Sequence, residues 1–126
     1  MVDPRLSGLR IFVAEDEYLI ATEVLDVLTQ AGAEVLGPVA SVEDARQLLS
    51  LEAQIDGAVL DVNLRDGMIF PIADSLQERG VPVIFATGYD AGALPDRLAS
   101  MPRVEKPHDA RQLTDVLAAA LSDRVN

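Results

Sequence analysis

The sequence predicts a doubly wound α/β domain, a parallel sheet with helices on both faces. Three observations lead there. Short apolar runs rich in strand formers alternate with segments whose apolar residues recur at helical spacing. The runs are continuously apolar, as expected of strands buried on both faces. The connections between them are short, and right-handed crossovers then distribute helices to either side of the sheet.

The elements follow in order. Leu9 to Ala14 (LRIFVA) reads as the first strand. Ile20, Val24, Val27, Leu28 and Ala31 then recur as a helix stripe, which Gly32 stops. Glu34 to Ala40 reads as the second strand. Ser41 followed by Asp44 is a capping-box-like start, and Val42, Ala45, Leu48 and Leu49 form the next stripe. Ile55 to Leu60 is the third strand, with a turn signal at Asp66-Gly67 beyond it. Pro71 suits the first turn of a helix in which Ile72, Ala73 and Leu76 face inward until Gly80. Val81 to Ala86 is the fourth strand and Arg103 to Glu105 a short fifth. Asp109 caps a last helix, with Gln112 at its third position and Leu113, Val116, Leu117, Ala120 and Leu121 as its stripe. About five helices are expected. The fourth, within YDAGALPDRLASMP, is short or mobile, because Gly92 and Pro95 both oppose it.

The 126 residues suit one domain able to bury a core without staples. Residues 1–8 read as an N-terminal tail, 9–121 as the domain and 122–126 as a C-terminal tail, with no output domain expected after it. There are no cysteines, which excludes disulfides, thiolate metal sites and thiol catalysis. Ten basic against twenty-one acidic side chains give a net charge of −11, which opposes binding to nucleic acid or anionic membranes. No apolar run reaches the length of a membrane span, and MVDPRLSGLR has no secretory core. A soluble, cytoplasmic protein is expected.

In a doubly wound sheet, ligands sit beyond the carboxyl ends of the strands. Here those ends carry Glu15-Asp16-Glu17, Asp61, Thr87-Gly88 and Lys106-Pro107. Taken singly, each has an ordinary explanation. The acidic triplet suits a helix N-terminus, Asp61 a solvated loop, Thr87 a strand-end hydroxyl and Lys106 a surface charge. The lone His108 reads as structural or solvated. Their joint occurrence at four strand ends points to one pocket. Two carboxylates about 5 Å apart repel by roughly 3 kcal/mol at an effective dielectric of about 20. Three raise one another's pKa values or need a cation, and a hard divalent ion, by default Mg²⁺, meets that need with oxygen ligands. Adding a lysine and a hydroxyl makes a site for a phosphoryl group.

From about Leu9 to Leu121 the chain resembles the receiver domain of two-component response regulators. The resemblance rests on Glu15 and Asp16 after strand one, Asp61 after strand three, Thr87 after strand four and Lys106-Pro107 after strand five. It implies a flavodoxin-like fold with strand order 2-1-3-4-5. It implies that Asp61 accepts a phosphoryl group and that Asp16 and Asp61 hold Mg²⁺ directly, with Mn²⁺ as a substitute. Glu15 then acts through water, and the Asn63 backbone carbonyl supplies a further ligand. Thr87 and Lys106 bind the phosphoryl oxygens, and a cis bond before Pro107 orients the lysine. The donor is a sensor histidine kinase or a histidine phosphotransfer protein, and the protein is not an enzyme beyond slow self-dephosphorylation. PVIFATGY, residues 82–89, is similar to the signature of the FAT GUY subgroup. Its members are often stand-alone receivers working with histidine kinases of the HWE or a related class. One position departs from the family. Many receivers carry an aromatic residue where this chain has Arg103, so the switch is expected in the segment from Tyr89 onward.

Asn63 bears on a rival reading. Phosphatases of the haloacid-dehalogenase type also use a strand-end Asp with Mg²⁺, Thr and Lys. They place a second Asp two residues later as the general acid that turnover requires, and they place the nucleophile after the first strand. An amide at that place, and a nucleophile after the third strand, suit a stored phosphoryl group. A receiver-like interaction module that needs no phosphate is the other alternative. In either receiver reading the output is protein contact or phosphorelay.

Overall fold

Successive side chains along a β-strand point to opposite faces, and the central strands here supply apolar residues to both. The computed structural model describes residues 2–87, 94–106 and 109–125, apart from the side chains of Thr87 and residues 123–125. The strands are β1 (Arg10–Ala14), β2 (Glu34–Val39), β3 (Gly57–Asp61), β4 (Asn63–Leu64), β5 (Gly67–Met68), β6 (Val83–Thr87) and β7 (Arg103–Glu105). Five of them form a parallel sheet in the order β2-β1-β3-β6-β7, the expected 2-1-3-4-5 arrangement. The other two, β4 and β5, pair with each other as a short antiparallel hairpin.

The helices are α1 (Tyr18–Gln30), α2 (Val42–Leu51), α3 (Phe70–Glu78) and α4 (Ala110–Val125). On one face Phe12, Ala14, Leu60, Val83 and Phe85 pack against Ala45 of α2 and Ile72, Ala73 and Leu76 of α3. On the other, Ile11, Val13, Val59 and Ile84 meet Val24 and Leu28 of α1 and Leu113, Leu117 and Leu121 of α4. Burying one such aliphatic or aromatic side chain stabilises the fold by about 1.5–3 kcal/mol.

The helix ends follow local chemistry. Ser41 Oγ accepts from the Asp44 N–H at 3.0 Å, and Asp109 Oδ1 accepts from the Gln112 N–H at 2.7 Å. Beyond α1 the chain turns at Gly32, whose φ of +94° disfavours any residue with a Cβ.

The structure differs from expectation in four places. Among the described residues there are four α-helices. The place of the expected short fourth helix holds only a 3₁₀ turn, Asp96–Leu98, after Pro95. That turn is anchored by fully buried Leu98 and by Arg97, whose Nε and Nη2 donate to Asp74 of α3 at 3.0 and 2.9 Å. The third and fourth strands are displaced toward their carboxyl ends, so Asp61 and Thr87 are strand residues. Pro82 explains the second displacement: it has no N–H for the ladder, and Val81 N–H closes the end of α3 on Leu76 O. The hairpin was not anticipated beyond its turn signal. Finally, residues before Leu9 are packed: Leu6 is fully buried, and Asp3 and Gly8 N–H groups donate to Ala31 and Gly32 carbonyls.

Candidate functional site

Strand register brings the polar strand ends together. Ala14 pairs with Leu60, so Glu15, the next residue, lies level with Asp61. Asp61 pairs in turn with Ala86, and Thr87 with Glu105, immediately before Lys106. Glu15 and Asp61 are buried, 4% and 8% exposed, whereas Asp16 is exposed. Carboxylate oxygens of Glu15, Asp16 and Asp61 all lie within 4.8 Å of one another.

Lys106 lies among them. Its Nζ is 2.6 Å from Glu15 Oε1 and 3.1 Å from Asp61 Oδ2. The second Glu15 oxygen accepts from the Glu17 N–H at 3.1 Å, so both oxygens of this acid are engaged. Burial raises the Asp61 pKa, and the hydrogen-bonded Glu15 carboxylate raises it further. Lys106 opposes both and does not win: the group is pushed up to about 6. For Lys106, burial favours the neutral amine, but Glu15 and Asp61 outweigh it and the pKa is raised. The ammonium therefore stays charged, and Asp61 remains under-compensated.

That imbalance tests the fit of a metal ion. Two buried carboxylates and an exposed one, with one lysine between them, form an oxygen-only donor set. Such a set suits Mg²⁺ or Mn²⁺ and has no soft ligand for other metals. Glu15, Asp16 and Asp61 are the side chains that would hold it.

The remaining site candidates fall as follows. Asn63 opens the hairpin and is exposed. Arg103 opens β7 beside Phe85 and is exposed, at the place where many receivers carry an aromatic. Thr87 ends β6 next to the acids, but its side chain lies outside the described residues. Tyr89, His108 and Pro107, with the expected cis bond, lie outside them as well, as do residues 88–93 of the expected switch segment.

One residue escaped the sequence reading. Asp66, at the hairpin tip, accepts from the N–H groups of Val42 and Glu43 at the start of α2. The Asp66-Gly67 turn signal was the available one, and Gly67, the first residue of β5, takes φ +148°. The partner in α2 was not readable. Beside the acids an open cleft of about 430 Å³ is lined by Tyr18, Ala21, Leu25, Pro38, Ala40 and Arg65. Tyr18 in its lining is 79% exposed, and the next residue along α1, Leu19, is 72% exposed.

A doubly wound sheet with an acid trio and a half-buried lysine at its carboxyl edge is the arrangement that the resemblance to receiver domains implies. Comparison with known proteins extends this. No family model matches the chain. The solution structure of SdrG from Sphingomonas melonis Fr1 is 34% identical, with a TM-score of 0.79 over 94% of this chain and 98% of that one. A response regulator receiver protein from Sinorhizobium medicae WSM419 is 26% identical, with a TM-score of 0.77 over 93% and 97% of the two chains. The transcriptional regulatory protein PdtaR of Mycobacterium tuberculosis H37Rv is 27% identical over 118 residues, 90% of this chain. The chain spans 57% of that protein's length. The chain belongs to the response regulator receiver domains.

Proposed function

We propose that this receiver accepts a phosphoryl group on Asp61 from a phosphohistidine of a sensor kinase or of a histidine phosphotransfer protein, with Mg²⁺ bound. The observation that carries the reading is Lys106 Nζ bridging two buried carboxylates, at 2.6 Å from Glu15 and 3.1 Å from Asp61. This is a costly arrangement for a fold alone, and one suited to receiving an anion.

In the step, an Asp61 carboxylate oxygen attacks phosphorus, the phosphorus–nitrogen bond to histidine breaks, and the imidazole keeps the electron pair. Asp61 must be ionised to attack, and Lys106 favours the carboxylate. The ion supplies charge neutralisation for the phosphoryl oxygens when bound. Lys106 then exchanges Asp61 for the phosphoryl group while Glu15 keeps it in place. Thr87, at the neighbouring strand end, binds another oxygen. Asn63 would offer its backbone carbonyl to the ion, and its side-chain amide cannot serve as the acid of a phosphatase. The protein is thus a phosphoryl carrier with at most slow self-dephosphorylation.

Signalling then proceeds by phosphorylation-dependent protein contact or relay in the cytoplasm. Exposed Tyr18 and Leu19 beside the acids support a protein donor. The PVIFATGY stretch supports a place in the FAT GUY subgroup and a kinase of the HWE class. The test is intact mass after incubation with acetyl phosphate and Mg²⁺. Gain of one phosphoryl group, lost with EDTA and in Asp61→Asn, is expected. Mg²⁺ binding with no phosphoryl gain from either a small-molecule or a protein donor would favour the phosphate-independent module.

A further inference from the structure

The first N–H groups of any α-helix lack partners within the helix. In α2 three of them are satisfied by side chains, two of those by a residue at the tip of the β4–β5 hairpin. Asp66 Oδ1 accepts from the Val42 N–H at 2.6 Å and Oδ2 from the Glu43 N–H at 3.2 Å. Ser41 Oγ takes the Asp44 N–H at 3.0 Å. These bonds hold the Asp66 carboxyl below the usual carboxylate range, the bond from Val42 contributing most.

The loop they restrain is the one that follows Asp61. Its base is closed by the Ile69 N–H on Val62 O at 3.0 Å, with Val62, Leu64 and Ile69 buried. Its outer part, Asn63 and residues 65–68, is exposed. Apart from the short β4–β5 ladder, the tip is tied down through Asp66. Asn63 lies between the closed base and the tied tip.

We propose that Asp66 is a positioning residue of the phosphoryl site: it clamps the loop carrying Asn63 to the first turn of α2, so that occupancy at Asp61 and the placement of α2 are coupled. The inference rests on the acceptor reading above and adds its route of regulation. An ion or phosphoryl group that draws the loop toward Asp61 pulls on Val42 and Glu43. Coupling of this kind is reciprocal, so a partner seated on α2 alters ion affinity at the acids. The residues involved lie on the β3–α3 connection and in the first turn of α2, and need no aromatic at position 103.

The experiment follows Mg²⁺ binding by calorimetry and by backbone amide NMR in wild type, Asp66→Ala and Asp66→Asn, with thermal stability recorded for each. In wild type the Val42 and Glu43 amide resonances move with the same midpoint as Mg²⁺ uptake. In Asp66→Ala that response disappears and Mg²⁺ affinity falls by roughly tenfold, as for other residues that orient metal ligands. Asp66→Asn, which keeps one acceptor oxygen, lies between, and it carries the test if the alanine variant does not fold. A cap serving α2 alone would change thermal stability and leave Mg²⁺ affinity within twofold; that result overturns the coupling. So does Mg²⁺ binding in wild type with the two amides unmoved. Failure of the wild type to bind Mg²⁺, or to take a phosphoryl group from either a small-molecule or a protein donor, overturns the acceptor reading, and the coupling with it.

Discussion

Replacing Asp61 by asparagine should stabilise the metal-free protein at neutral pH. The folded state raises the carboxyl from 3.8 to about 6. A raised carboxyl pKa means that the folded state binds the proton more tightly than the unfolded chain. Stability from that proton is fully present below pH 3.8 and is lost as pH rises through the folded pKa. A shift from 3.8 to about 6, at 1.36 kcal/mol per unit, bounds the loss at about 3 kcal/mol. Because Glu15 and Lys106 titrate together with Asp61, about 2 kcal/mol is the working figure. Asparagine has the same shape and no charge, and Lys106 keeps Glu15 at 2.6 Å. Urea denaturation in EDTA, at several pH values, reads the difference directly. Asp61→Asn and wild type should nearly coincide near pH 4. They should diverge as the wild type loses stability up to about pH 6, with the variant about 2 kcal/mol more stable above that. A wild type as stable as the variant at pH 7.5 would refute the reasoning, because it would mean that Lys106 fully compensates Asp61.

Other expectations follow from the same geometry. Mg²⁺ should raise the wild-type melting temperature at pH 7.5, by mass action on the folded state, and should leave Asp61→Asn much less affected in a thermal scan. Lys106→Met should cost about 2–4 kcal/mol in denaturant without metal, because it leaves buried Glu15 and Asp61 without a cation. The same change should tighten Mg²⁺ binding, measured by calorimetry, since the ion no longer competes with the ammonium, while phosphoryl uptake falls. Leu6→Ala should destabilise by about 2–4 kcal/mol, because Leu6 is fully buried between α1 and α4. A change below 0.5 kcal/mol in urea would return that segment to the role of a loose tail.

The sheet and its helices were legible because their signals are local. Continuous apolar runs marked β1, β3 and β6, and stripes at helical spacing picked out Val24, Leu28, Leu113 and Leu117, all buried. The caps at Ser41 and Asp109 were legible for the same reason. Asp16, Asp61, Thr87 and Lys106 share one pocket on the reading of their strand ends; Asp16, Asp61 and Lys106 lie together there with Glu15, and the Thr87 side chain lies outside the described residues. What escaped was long-range. Leu6 looks like any residue of a polar leader until α1 and α4 close over it. Asp66 looks like a turn residue until its carboxylate meets α2. The place of the expected fourth helix showed only its obstacles, Gly92 and Pro95. The 3₁₀ turn that follows is held by Arg97 reaching Asp74, a pairing across 23 residues that no local pattern encodes.

The central claim is that Asp61 carries the phosphoryl group, and the most direct measurement traps the acyl phosphate in place. The protein is incubated with acetyl phosphate and Mg²⁺, reduced with borohydride, digested and sequenced by mass spectrometry. Borohydride converts an aspartyl phosphate to homoserine and leaves free carboxylates unchanged. The expected result is homoserine at position 61, absent with EDTA and absent when the phosphodonor is omitted. Homoserine at Asp16 or at any other acid, with Asp61 intact, would contradict the account.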